Sequence, residues 1–240
     1  MRSKIRPFLL CALLLSLDAA WGQYSEAKAD PSATQTRESQ AKTTPAMALQ
    51  SLKDGNARFT SGKMVKRDLI KQAAAASNGQ FPIATVVACL DSRAAPEFVF
   101  DQGIGDIFVA RVAGNFVNED IIGSLEFGSK VAGAKLIVVV GHTDCGAIKG
   151  ACDDVQLGNL TTTLAKIKPA VDAVPVDGSP RNSKNAAFVQ SVADMNVKLA
   201  VKQILDKSSV LKEMSDKGEI MIVGAMHDLK SGKVTFYDSN

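Results

Sequence analysis

Apolar positions along the chain switch between two periods, and the switches outline its elements. After Pro45, Met47, Leu49, Leu52 and Phe59 recur at helical spacing, with Gly55 and Gly62 near the end of the run, which predicts a helix. A second, short helix is expected over 68–76. Ile83 to Cys89 is then an almost unbroken β-branched run of the kind that forms a strand buried on both faces. Residues 106–112 and 135–141 repeat that pattern, with a helical period between them over 119–131. Strand, crossover and strand in this order imply parallel pairing. Helical stretches follow at 146–152, 157–173, 184–207 and 209–216, then a strand over 220–225. Ser231-Gly232-Lys233 is a turn, after which 234–237 should pair back as a hairpin. With no internal repeat and no linker, residues 45–240 read as one α/β domain: a central, mostly parallel sheet flanked by helices.

The N-terminal segment has a different pattern. Arg2, Lys4 and Arg6 precede an apolar run from Phe8 to Leu17, followed by Ala20-Trp21-Gly22, which has the form of a cleaved signal peptide over 1–22. The run is too short for a stable membrane anchor, and no later stretch approaches the length of a transmembrane helix. The expectation is export, to the periplasm, with cleavage near Gly22. Residues 23–44 are polar and aperiodic, and are expected to form a flexible arm that orders on a partner subunit. The chain has 240 residues, 46% apolar, enough for a substantial core. Its formal charge of +3 drops when the leader removes three basic residues and one acidic, leaving 25 basic against 24 acidic. So balanced a surface argues against nucleic acid as a partner.

Two histidines and four cysteines leave few candidates for chemistry. Cys89 ends the first strand, with Asp91 and Arg93 just beyond, and His142 and Cys145 follow the third. Both groups therefore sit at carboxyl ends of parallel strands, the edge where open α/β sheets bind ligands. Two thiolates and an imidazole form a soft, zinc-selecting set, and three protein ligands leave a fourth position open, as in catalytic sites. Asp91 and Arg93 are close enough to form a carboxylate–guanidinium pair. Each piece has a plainer reading: a cysteine closing a strand is an ordinary core residue, and the acid–base pair an ordinary loop salt bridge. A thiol enzyme using Cys145 with His142 as base also remains open.

Ala88-Cys89-Leu90-Asp91-Ser92-Arg93 together with Gly141-His142-Thr143-Asp144-Cys145-Gly146 resembles the signature pair of the β-class carbonic anhydrases. The resemblance extends to the helix around Leu52–Phe59, to Phe108–Asn115 and to Glu126-Phe127, covering most of 45–225. It implies the β-carbonic anhydrase fold and one zinc ion per subunit on Cys89, His142 and Cys145, with Asp91 and Arg93 as a catalytic dyad. It also implies reversible hydration of carbon dioxide to bicarbonate and a proton, by hydroxide that zinc provides at neutral pH. Gln80 matches the substrate-binding glutamine of plant-type members; Phe108, Ala113, Phe127 and Gly146 match the apolar wall and backbone donor of the pocket.

Where the family usually has Arg-Asn the chain has Arg111-Val112, and Phe127 stands where plant-type members carry tyrosine. Val86 replaces the tryptophan of members in which the aspartate swings onto zinc, so Asp91 is expected on Arg93, with a role as fourth ligand still open. The resemblance further implies a homodimer or homotetramer, with Gln80 or Phe108 supplied across the interface. Hydrolysis of CS2 or COS on the same fold is the alternative reaction, and a non-catalytic zinc-binding protein the alternative class. His227 is expected on the surface or in packing, after the last core strand, and Cys152 as a packed thiol.

Overall fold

The computed structural model describes residue 30 and residues 33–237. The expected signal peptide, residues 23–29 and the last three residues lie outside the described residues. Along the chain come α1 (Arg37–Lys42), α2 (Pro45–Thr60), α3 (Leu69–Ala76), β1 (Ala84–Ala88), α4 (Pro96–Val99), β2 (Ile107–Arg111) and α5 (Glu119–Glu126). After a π-helical turn, Phe127–Val131, follow β3 (Leu136–His142), α6 (Gly146–Cys152), α7 (Gly158–Ala165), α8 (Lys168–Ala173), α9 (Ala186–Lys207), α10 (Ser209–Asp216), β4 (Met221–His227) and β5 (Val234–Phe236).

The five strands make one sheet in the order β2-β1-β3-β4-β5, parallel except for β5, which returns antiparallel to β4. Strand side chains alternate between faces, and the β-branched runs fill both. Val87, Ile137 and Val139 pack with Ile122, Ile148, Val192 and Ile204, beneath α5, α6 and α9. Val86, Ala88, Leu136 and Val138 point the other way, against Leu52, Val99 and Phe100 of α2, α4 and its end. Each fully buried aliphatic side chain adds about 1.5–3 kcal/mol. This double covering is why the strands lack polar alternation.

Three departures have local causes. The expected helix over 157–173 is two, α7 and α8, with Ile167 as N-cap and Pro169 in the first turn of the second. The expected 119–131 helix widens into a π-helical turn after Glu126. Part of the expected flexible arm is a helix docked on its own chain. Thr36 and Ser39 form a reciprocal capping box, and the buried Gln40 Nε2 donates to the carbonyls of Pro82 and Ala132, both at 2.8 Å. The anchor of α1 is thus an amide, which a search for apolar periods does not detect.

Candidate metal centre

β1 and β3 are neighbours, with Ala88 opposite Val140, so their carboxyl ends lie side by side. Cys89 follows Ala88, and His142 is the last residue of β3. Asp144 has φ 57°, a left-handed conformation that Asp tolerates better than most residues. It turns the chain so that Cys145 becomes the N-cap of α6. The two Sγ atoms and a ring nitrogen of His142 all lie within 4.8 Å of one another, and all three residues are buried.

The Cys89 and Cys145 sulfurs are 3.9 Å apart. Tetrahedral zinc with Zn–S bonds of about 2.3 Å would set them about 3.8 Å apart. His142 Nδ1 lies 2.9 Å from the Thr143 carbonyl, a bond that places the proton on Nδ1. Nε2 is then a bare lone pair, buried and without a hydrogen-bond partner. Burying such an atom is costly unless something fills the position. A dication fits the donor set on every count.

Electrostatics agree. Without a cation the two thiols share the charge of one: Cys89 falls well below the usual thiol range through the hydrogen bond from Cys145, then through His142 and the Gly114 and Asp91 amides. Cys145 is raised, first by that same bond to Cys89 and then by burial, which outweigh the Ala147 and Ile148 amides. Burial works against a charged His142, but the nearby Cys89 sulfur and the Thr143 carbonyl leave its pKa raised. Only a bound cation would favour two thiolates and a neutral imidazole together.

Beside the triad, Arg93 grips Asp91 at both oxygens: Nε donates to Oδ1 at 2.9 Å and Nη2 to Oδ2 at 2.7 Å. The Arg93 amide adds a bond to Oδ1 at 2.9 Å. These bonds, the guanidinium's first, hold the Asp91 carboxyl far below the usual carboxylate range. Its Oδ2 lies 3.8 Å from His142 Nε2. Asp91 therefore borders the triad while paired with Arg93.

A family model described as carbonic anhydrase matches residues 84–234. Carbonic anhydrase 2 of Mycobacterium tuberculosis is 33% identical over 202 residues, 82% of this chain and 94% of that one. The carbonic anhydrase of Mycolicibacterium smegmatis is 33% identical over 191 residues, 79% and 92% of the two chains. Among solved structures, a tetrameric β-carbonic anhydrase of Sordaria macrospora aligns at TM-score 0.60 and 24% identity, over 69% of this chain and 85% of that one. The chain belongs to the β-carbonic anhydrase family. Its cofactor is zinc, with Cys89, His142 and Cys145 placed to hold it.

The carbonic anhydrase fold brings only part of the expected pocket to this centre. The Gly114 amide donates to Cys89 Sγ at 3.3 Å, which sets Ala113 beside the metal ligands, and Gly146 opens α6 next to Cys145. Gln80, by contrast, precedes β1 at the opposite edge of the sheet, about 16 Å of strand from Cys89. Phe108 pairs with Thr85, about 13 Å along β1 from Cys89, and its ring lies 6.2 Å from that of Phe127. Gln80, Phe108 and Phe127 thus gather at the amino edge, with Gln80 and Phe127 exposed.

His227 is in packing, one of its two expected places, but within β4 rather than after it. It is the last residue of β4, buried, in register with His142, and its own carbonyl accepts the Thr143 amide at 2.9 Å. Burial and then the His142 charge lower its pKa. Two further supports come from outside the triad: Asn196 of α9, which had no sequence signal, donates to the Gly114 carbonyl at 2.8 Å, and Arg111, within the matched Phe108–Asn115 segment, reaches the carbonyls of the loop after β1. Both depend on contacts distant in sequence. Cys152 closes α6 half-buried, its thiol pushed up to about 11 by burial.

Proposed function

We propose that the protein interconverts carbon dioxide and bicarbonate at the Cys89–His142–Cys145 centre, with Asp91 orienting the attacking water and Arg93 fixing Asp91. The observation that carries this reading is the bare, buried His142 Nε2 facing two cysteines, beside a carboxylate locked in its ionised form. Zinc, when bound, supplies a water whose pKa is lowered from 15.7 toward about 7.

The residues of the chain do the rest. Held ionised by Arg93, Asp91 can only accept hydrogen bonds, so its Oδ2 takes one from the water and aligns the oxygen lone pair on the CO2 carbon. Ala113 provides apolar surface for CO2. The Gly146 amide, in the first turn of α6 and so without an intrahelical acceptor, is suited to an oxygen that gains negative charge as bicarbonate forms.

Gln80, Phe108 and Phe127 match the substrate contacts of the family yet lie at the far edge from their own metal centre. They are suited to the site of a second copy, which supports a homodimer or homotetramer. The basic, apolar and small-residue order of residues 1–22 supports export to the periplasm with removal of the leader.

Stopped-flow CO2 hydration by the mature protein, with its zinc content, tests the reading. The expected result is one zinc per chain and rapid hydration, while Asp91→Asn keeps zinc and loses about a hundredfold or more in rate. Full hydration by Asp91→Asn would remove the aspartate from the mechanism. A zinc-replete wild-type chain without hydration would make the protein a zinc-binding protein only.

A further inference from the structure

Arg111 takes no part in the chemistry above, yet it touches the piece of backbone on which that chemistry depends. It is the last residue of edge strand β2 and lies opposite Ala88, so its side chain runs along the loop leaving β1. Nε donates to the Cys89 carbonyl at 2.9 Å and Nη2 to the Asp91 carbonyl at 2.5 Å. One rigid, planar guanidinium therefore spans the Cys89–Leu90 and Asp91–Ser92 peptide units. The Val112 amide adds a bond to the Ala88 carbonyl at 3.1 Å, and the Ala94 amide one to the Asp91 carbonyl at 3.1 Å.

The orientation of these peptides sets the direction in which the Asp91 side chain leaves the backbone. That direction matters because the carboxylate has two competing positions. Its Oδ2 is on Arg93 at 2.7 Å, and only 3.8 Å separates the same oxygen from His142 Nε2. The pair with Arg93 is local, two residues apart, and moves with the loop. Arg93 itself leans on Asp144, 3.7 Å from its Nη1 and itself exposed. The bonds that Arg111 and the Val112 and Gly114 amides donate tie the loop to β2 and the residues just after it.

We propose that Arg111 is a positioning residue: by pinning the carbonyls of Cys89 and Asp91 it keeps the Asp91 carboxylate on Arg93 and the fourth metal position open. The proposal rests on the zinc reading of the Cys89–His142–Cys145 centre. Its effect is on where Asp91 points, and an exposed arginine that only decorated the surface would not change that.

Cobalt(II), loaded into the full chain in place of zinc, reports the fourth position through its visible spectrum, and thiocyanate is a small anion that takes that position when it is open. Arg111→Ala is expected to keep one metal per chain while its affinity for thiocyanate drops about tenfold or more, given the loss of two bonds from a charged donor. Arg111→Lys, whose ammonium can reach one carbonyl but not span both, should fall between, and decides the matter if Arg111→Ala does not fold. Adding Asp91→Asn to Arg111→Ala should restore thiocyanate binding, because the competing carboxylate is gone. Unchanged titrations in both single variants would overturn the proposal. So would weak binding that persists in the double variant, since Arg111 would then act by attracting the anion. A wild-type chain that takes up no metal would instead overturn the zinc reading itself.

Discussion

Gly114 is where backbone conformation, packing and the metal centre meet, and replacing it with alanine should disturb all three. Its φ of 83° lies in the left-handed region, where a residue with a side chain costs about 1–3 kcal/mol. A Cβ there would stand 2.4 Å from Ile167 Cδ1 and 3.4 Å from Ala147 Cβ. Ile167 is fully buried, so its methyl must find room inside the core, which adds about 1–3 kcal/mol of overpacking. Taken together the loss is about 2–6 kcal/mol, and for a domain of this size that corresponds to a melting temperature lower by roughly 4–24 °C. The strain falls on the peptide whose N–H reaches Cys89 Sγ at 3.3 Å. A hydrogen bond to a thiolate contributes about 1.5–3 kcal/mol, so zinc affinity should drop about tenfold or more. Thermal melts of the metal-loaded protein, with zinc competition against a chromophoric chelator, measure both. A melting temperature within a degree of wild type would refute the packing argument, and an unchanged zinc affinity would refute the role of the amide.

Cys145→Ala should abolish zinc binding and hydration together, since only Cys89 and His142 then remain; elemental analysis beside the hydration assay checks it, and retained stoichiometric zinc would count against the triad. Asp101 is a second buried charge: its carboxylate accepts from Arg58 Nε at 2.5 Å, from Arg67 Nη1 and from the Val65 amide at 3.2 Å. Burial opposes its ionisation, but the two guanidiniums prevail and lower its pKa. With the folded pKa below the unfolded one, this contribution is fully present above about pH 4 and is lost as pH falls through the folded value. Asp101→Asn should therefore cost about 2–4 kcal/mol at pH 7 and less at pH 4 and below, read from urea midpoints. A gap that stays constant with pH would sink the electrostatic account.

The sheet was legible because strands covered on both faces must be continuously apolar, and the runs at Ile83, Asp106 and Lys135 have few other uses. The ligand set was legible for a related reason. Parallel pairing brings Cys89 and His142 to one edge whatever lies in the fifty residues between them. Gln80 and Phe108 show where such reading stops. Both belong to the matched pattern, but that they lie at the amino edge, away from Cys89, depends on where β1 and β2 run in the sheet, which the pattern does not carry. The end of β4 was misplaced: the strand runs two residues past the expected 225, with the buried His227 as its last rung. Helix α1 escaped because a capping box and one buried amide, rather than an apolar face, hold it down.

The sulfurs of Cys89 and Cys145 meet across 56 positions of sequence. A metal ion joining them is also a cross-link, closing a loop that contains β2, α5 and all of β3. By the loop-entropy estimate used for disulfides, closing a loop of that length is worth about 4 kcal/mol against the unfolded chain. Zinc would then act as a structural rivet as well as a reagent. Chelation should accordingly loosen the carboxyl ends of β1 and β3 before any other part of the sheet, giving the protein a stability that reports on its metal supply.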